Sequence, residues 1–301
     1  MSAAPDARSP GAPVAAVAGA PGGFRDVLRG VLRDRNGRIG MVVTGVMTLV
    51  AVAAVLGLAP HDPLAQQPAQ QLVGPSGSHW FGTDQFGRDI ASRTFAGVAA
   101  SLRVALLSVG LAALVGTVAG VVSGYLGGAW DQLVGRLTDV LFAFPAVLLA
   151  LAVIAALGRG WFNTAIAIAI VYIPIFVRVA RGPTLSVREL EYIAACRVVG
   201  FSGPRILFRH VLPNVSAPVV VQVALALSWA ILTEAGLSFL GLGTQPPEPS
   251  LGLMVSEARN LTTTAWWTMV FPSLAVIVAV VGLNLLGDGL RSALDPKEER
   301  R

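Results

Sequence analysis

The run Leu102–Tyr125, LRVALLSVGLAALVGTVAGVVSGY, decides the fold class. Its one charged residue, Arg103, stands at the edge, and apolar residues do not alternate with polar ones as they do in a half-buried strand. The run is long enough to cross a hydrocarbon core of about 30 Å. Lipid offers no partner for an unpaired backbone N–H or C=O, so such a segment must be a helix. Five more runs read the same way: Ile39–Leu58, Leu137–Leu157, Asn163–Ala180, Ala217–Phe239 and Thr268–Leu286. Composition agrees. Of 301 residues 54% are apolar and 13% charged, against about 25% charged in soluble domains, and the mean hydropathy is +0.69. The expectation is an all-α, polytopic membrane protein with six transmembrane helices.

Within the decisive run Gly116, Gly120 and Gly124 stand four residues apart. A stripe of small residues lets two helix backbones approach closely, so helix packing is expected there. Pro145, Pro174, Pro218 and Pro272 fall in or beside spans, where neighbouring helices can satisfy the carbonyls that a kink frees.

The sequence pI of about 10.3 is explained by the distribution of charge rather than by a nucleic-acid partner. Of the 22 lysines and arginines, Arg88, Arg93, Arg103, Arg159 and Arg259 fall on one membrane face and all the others on the opposite one. Positive charge collects on the cytoplasmic side. Six spans then place both termini, and the loop over residues 181–216, in the cytoplasm of a cell-membrane protein. The domain expectation is a disordered cytoplasmic tail over 1–23 and an interfacial amphipathic helix over 24–38. A transmembrane domain follows over 39–296, with an outer loop over 59–101, and a tail over 297–301 ends the chain. In the amphipathic stretch Phe24, Val27, Leu28, Val31 and Leu32 recur at helical spacing with Arg25, Arg29 and Arg33 between them.

The outer loop holds HWFGTDQFGRD, His79–Asp89, in which Asp84, Arg88 and Asp89 are expected to form a charge network around two glycine turns. Glu234 lies inside a span, where a carboxylate marks either a buried partner or a pathway. Asp139, near a span end, can reach water or an arginine.

Cys196 is the sole cysteine, so no intrachain disulfide forms. His61, His79 and His210 show no ligand spacing, and no metal site is expected. No catalytic set of the Ser-His-Asp or HExxH kind is present. The only lysine is Lys297, so the chain has no phosphate-binding Walker A loop. If the chain serves ATP-driven transport, ATP and Mg2+ are bound by other subunits and this chain binds no cofactor. A compact, arginine-rich stretch survives between two apolar runs on the cytoplasmic side: EYIAACRVVGFSGPRILFRHVLPN, Glu191–Asn214.

That stretch resembles the EAA loop of ABC importer permeases, a Glu-Ala-Ala followed after three residues by Gly and later by Leu-Pro. Ala195, Gly200, Leu212 and Pro213 match it. The Glu position holds Ala194 and the second Ala position Cys196, and Glu191 lies one helical turn earlier. FGTDQFGRD at Phe81–Asp89, Ser123–Pro145, Leu237–Gly252 and Asn284–Pro296 resemble the C-type permeases of dipeptide, oligopeptide and nickel importers. The resemblance covers roughly residues 24 to 296. It implies a MetI-like type I importer fold and a place as one half of a permease pair. The implied partners are a second, homologous permease subunit, two ATP-binding subunits, an extracytoplasmic solute-binding protein and the lipid bilayer. It assigns Glu191, Ala194, Ala195, Cys196, Gly200, Leu212 and Pro213 to ATPase coupling. Gly82, Thr83, Asp84, Gly87, Arg88 and Asp89 form the outer-loop motif, and Glu234 stands in the pathway region. Di- and oligopeptides, glutathione and nickel chelates remain open as cargo. An ion-coupled secondary transporter is disfavoured, because it would need more intramembrane ionisable groups than this one carboxylate.

Overall fold

The computed structural model describes residues 24–294. The expected tails, 1–23 and 297–301, lie outside the described residues. Eleven α-helices follow in order: α1 Phe24–Arg33, α2 Arg35–Val55, α3 Ile90–Leu126, α4 Gly128–Ala143, α5 Ala146–Leu157, α6 Trp161–Arg188, α7 Glu191–Val198, α8 Gly203–Ile206, α9 Leu212–Phe239, α10 Leu251–Ala258 and α11 Trp267–Leu294. A 3-10 turn at Pro68–Gln70 and a π-helical turn at Leu207–Val211 complete the list. Among the described residues the only β pairing is one bridge between Thr83 and Asp89.

Five helical segments are long and apolar enough to cross a membrane, and a sixth crossing exists if α4 and α5 count together. The run Leu137–Leu157 is not one continuous span. The chain turns by 96° between α4 and α5. Pro145 lacks an N–H and crowds the residue before it out of the helical region, so Phe144 sits extended at φ −92°, ψ 137°. Beyond the bend α5 measures about 18 Å at 1.5 Å per residue, short of a core of about 30 Å.

Two other boundaries move for reasons of capping. The helix expected over 24–38 ends at Arg33, because Asp34 is extended and its carboxylate accepts from Gly37 N at 2.7 Å, starting α2. Val31 of α1 is buried, and Gly30 sits on Ala293 at the end of α11. Regular helix begins inside the expected outer loop 59–101, at Ile90. Asp89 caps α3 by accepting from Ser92 N at 2.8 Å, and the helix then runs 37 residues.

The core lies where α3, α5, α6, α9 and α11 meet, with Val104, Val109, Ile154, Ile168, Phe176 and Ile231 buried in it. The most extensive contact is that of α3 with α6. A Cβ on Gly116 would stand 2.6 Å from Cβ of Phe176, and one on Gly120 would strike the Val177 carbonyl. Gly124 abuts Thr184. The glycine stripe is a backbone-to-backbone contact, as its spacing led one to expect. A second such contact, not singled out from the sequence, joins α2 to α11. Gly37 meets Gly289, and Gly40 meets the backbone of Leu286.

Gly120→Leu should wedge α3 from α6 at a cost of about 1–3 kcal/mol, read as a lower thermal midpoint of the detergent-solubilised protein. Gly110→Leu, where a Cβ meets nothing within 4 Å, should leave the midpoint in place.

Candidate functional site

Two polar assemblies close the ends of the bundle. The first is built by the outer-loop motif. Gly82 and Gly87 adopt φ +74° and +71°, the left-handed region that glycine enters without strain. Between these turns the Asp84 carboxylate accepts from Phe86 N at 2.8 Å, Arg88 N at 2.9 Å and Arg88 Nε at 2.6 Å. Thr83 Oγ1 accepts from Val73 N and donates to the Gln70 carbonyl, while Trp267 of α11 donates its indole N–H to the Thr83 carbonyl at 3.1 Å. The motif is therefore fastened to the start of the last span.

The charge network has different members from those expected. Asp89 takes no part in it. It caps α3 and faces His79, with His79 Nδ1 2.9 Å from Asp89 Oδ1. The missing acid is Glu257 of α10, whose Oε2 accepts from Arg88 Nη2 at 3.1 Å and Arg93 Nη2 at 3.2 Å. Arg93 is 1% exposed. A guanidinium so enclosed needs partners, and Asp84 and Glu257 supply them. No local pattern in the sequence marks Glu257, which lies 169 residues from Arg88.

Two of the three histidines that showed no ligand spacing along the chain are brought together here, while His210 lies against Tyr192 and Phe201. His61 stacks on His79 with ring centroids 4.8 Å apart, and both approach Asp89.

Glu234 occupies the contact of α9 with α3 and is 0% exposed. Ser101 Oγ and Ser238 Oγ each donate to its carboxylate at 2.6 Å. Its partners are hydroxyls, not a cation.

At the opposite end of α3 the chain forms α7, a bend at Val199–Ser202, α8 and the π-helical turn. Ile193, Ile206, Val211 and Val215 pack under Val121 of α3 and Ala180 of α6. Arg197 lies 5.4 Å over the Tyr125 ring, and Arg188 Nη1 donates to the Gly124 carbonyl at 2.8 Å. Gly200 turns the chain at φ +86°, and a Cβ there would meet nothing within 4 Å. The constraint at Gly200 is one of backbone conformation and not of space. Glu191, Ala194, Ala195 and Pro213 are exposed, Cys196 and Leu212 partly so. Beside them Val198 is 89% exposed and Val199 73%, with Phe201 and Phe208 also open. Contiguous apolar side chains at a polar end of a membrane protein mark a contact surface.

A cavity of about 370 Å3 lies between α4 and α6, lined among others by Asp131, Arg136, Asp139, Arg178 and Arg181. Arg181 grips Asp131 with two bonds, at 2.5 and 2.7 Å, and Asp139 reaches Arg178 at 2.8 Å.

Residues 116–300 match the family described as binding-protein-dependent transport system inner membrane component. The dipeptide transport system permease protein DppC of Alkalihalophilus pseudofirmus is 42% identical over 274 residues, 91% of this chain and 90% of the relative. The glutathione transport system permease protein GsiD of Pectobacterium atrosepticum is 44% identical over 260 residues, 85% and 86% of the two chains. The probable D,D-dipeptide transport system permease protein DdpC of Escherichia coli is 43% identical over 240 residues, 80% of each. A bundle of apolar helices, a family match over more than half of the chain and relatives that align nearly end to end lead to one conclusion: the chain belongs to the inner-membrane components of binding-protein-dependent transport systems.

Proposed function

We propose that the chain forms half of the translocation pathway of an ATP-driven importer of short peptides and takes its motion from separate ATP-binding subunits through α7 and α8. The observation that carries the coupling role is the exposed surface Ala194, Ala195, Val198, Val199 and Phe201, held on a turn that only glycine makes without strain. An ATP-binding subunit seated there pushes on helices whose undersides pack against α3 and α6. Because Arg188 ties α6 to the Gly124 carbonyl and the glycine stripe locks the two helices together, α3 and α6 move as one body. Glu191, Cys196, Leu212 and Pro213 frame that surface. ATP and Mg2+ belong to the partner subunits.

Charge asymmetry supports placing this end, and both termini, in the cytoplasm. The cap end then faces outward, where a solute-binding protein delivers cargo, and a homologous permease subunit completes the pathway. Glu234 stands beside that pathway: sliding α3 along α9 breaks its bond with Ser101. The cargo proposal rests on the relatives named for dipeptides, D,D-dipeptides and glutathione, all short peptides.

Two measurements test these roles. Gly200→Asp should leave the protein in the membrane yet lower cargo-stimulated ATP hydrolysis of the assembled transporter about fivefold or more, the range of a lost coupling energy. Gly200→Ala, strained by about 1–2 kcal/mol at this φ, should fall between that variant and the parent. Unchanged hydrolysis in Gly200→Asp rejects the coupling assignment. Uptake of labelled dipeptide and glutathione should be lost on deletion of the gene and restored by this chain. Loss of nickel uptake alone would reject peptides as cargo.

A further inference from the structure

We infer that His61, His79 and Asp89 form a binding site for one divalent transition-metal ion, Zn2+ being its simplest occupant, at the N-terminal end of α3. The three donor atoms lie within 4.8 Å of one another. His79 Nδ1 stands 2.9 Å from Asp89 Oδ1, and His61 Nδ1 stands 3.7 Å from the same oxygen. Donors about 2.0–2.2 Å from a tetrahedral Zn2+ lie roughly 3.3 Å from each other, between these two distances. Two imidazoles and a carboxylate suit Zn2+ and its borderline neighbours rather than Mg2+ or Ca2+, which take oxygen ligands.

The hydrogen bonds around the cluster leave one ring nitrogen, His61 Nδ1, without a partner. His79 Nε2 is 2.6 Å from Gln70 Oε1, an acceptor. A neutral imidazole has one N–H, and giving it to Gln70 leaves the Nδ1 lone pair facing the Asp89 carboxylate. With the Gln70 amide turned, its NH2 donates to Nε2 and the single imidazole N–H goes to Asp89, so His79 is satisfied either in that way or by a cation at Nδ1. A neutral His79 bonded to both neighbours still leaves His61 Nδ1, a buried atom with no hydrogen-bond partner, unsatisfied. A metal ion satisfies all three donors at once.

The surroundings are those of a held ligand set. Ser92 N and Oγ fix the other Asp89 oxygen at 2.8 and 2.7 Å, and the same Ser92 Oγ accepts from His61 N at 2.9 Å. Gln70 orients His79 from behind. Partners of this kind set the tautomer and direction of metal ligands. His79 and Asp89 are buried, whereas the His61 side chain is 36% exposed, so an ion has a route in and His61 can close the remaining gap. An ion here would clip the start of the outer loop to the first turn of α3. The inference does not depend on the cargo or on ATPase coupling.

The test uses the full chain, purified in detergent without a polyhistidine tag and stripped with a chelator. Calorimetric titration with Zn2+ should show one ion per chain and a raised thermal midpoint. Co2+ in its place should give the visible absorption of a low-symmetry nitrogen and oxygen site. His61→Ala removes a half-exposed ring that makes no side-chain hydrogen bond, so the fold should stand, and Zn2+ affinity should fall at least tenfold with loss of the Co2+ band. Gln70→Ala should weaken binding by about 10–100-fold, the effect of losing an orienting partner. If the parent chain binds no Zn2+, or His61→Ala binds it equally well, the site is overturned and His79 with Asp89 is a hydrogen-bonded pair that only caps the start of α3.

Discussion

Everything in this bundle leans on the approach of α3 to α6. In lipid there is no hydrophobic force to press one apolar helix on another, so association relies on packing and hydrogen bonds. Gly116, Gly120 and Gly124 remove the side chains from one helix face and let the carbonyls of Ile173 and Val177 come in. With that pair fixed, α9 can lay Glu234 against Ser101, and α7 can tuck Ile193 beneath Val121 and Ala180. The cap depends on the same helix at its other end, since Asp89, Ser92 and Arg93 are in or beside its first turn. Loosening the glycine contact therefore disturbs sites at both ends that share no residue with it.

The sequence made the spans and the glycine stripe readable because lipid imposes simple rules on both: a minimum apolar length and small residues at contacts. It concealed what depends on direction. Hydropathy runs unbroken through Phe144–Pro145, so a right-angled turn looks the same as a straight span in composition. Asp89 was counted as a loop charge although its spacing to Ser92 is that of a helix cap. The ion-pair partner Glu257 lies 164 residues from Arg93, and no local pattern joins them. The three histidines carried no signal along the chain, because His61 and His79 meet only when Ser92 binds the backbone of one and the cap residue facing the other. At Gly200 the sequence shows a motif match; only the φ of +86° with empty space beyond it separates conformational strain from collision.

The two buried charge systems show different solutions to one problem. Near the cap, Arg88 and Arg93 are balanced by Asp84 and Glu257, four charges meeting where water is close at hand. Deeper in, Glu234 has two hydroxyls and no cation. The first arrangement is rigid, since removing either acid strands a guanidinium. The second rests on two neutral hydroxyls, which can rotate, rather than on a fixed countercharge.

The length of α3 has a mechanical consequence. Its 37 residues contain no proline, whereas α6, α9 and α11 each carry at least one. At 1.5 Å per residue it is a rod of about 55 Å, nearly twice the thickness of a hydrocarbon core. A rod without a joint cannot absorb a displacement along its length. Pivoting by about 5° around its midpoint moves each tip by about 2.4 Å in opposite directions, for a helix of that rise per residue. Such a see-saw would carry the cap and the Glu191–Asn214 end in opposite directions, so that geometry alone links the two ends of the molecule.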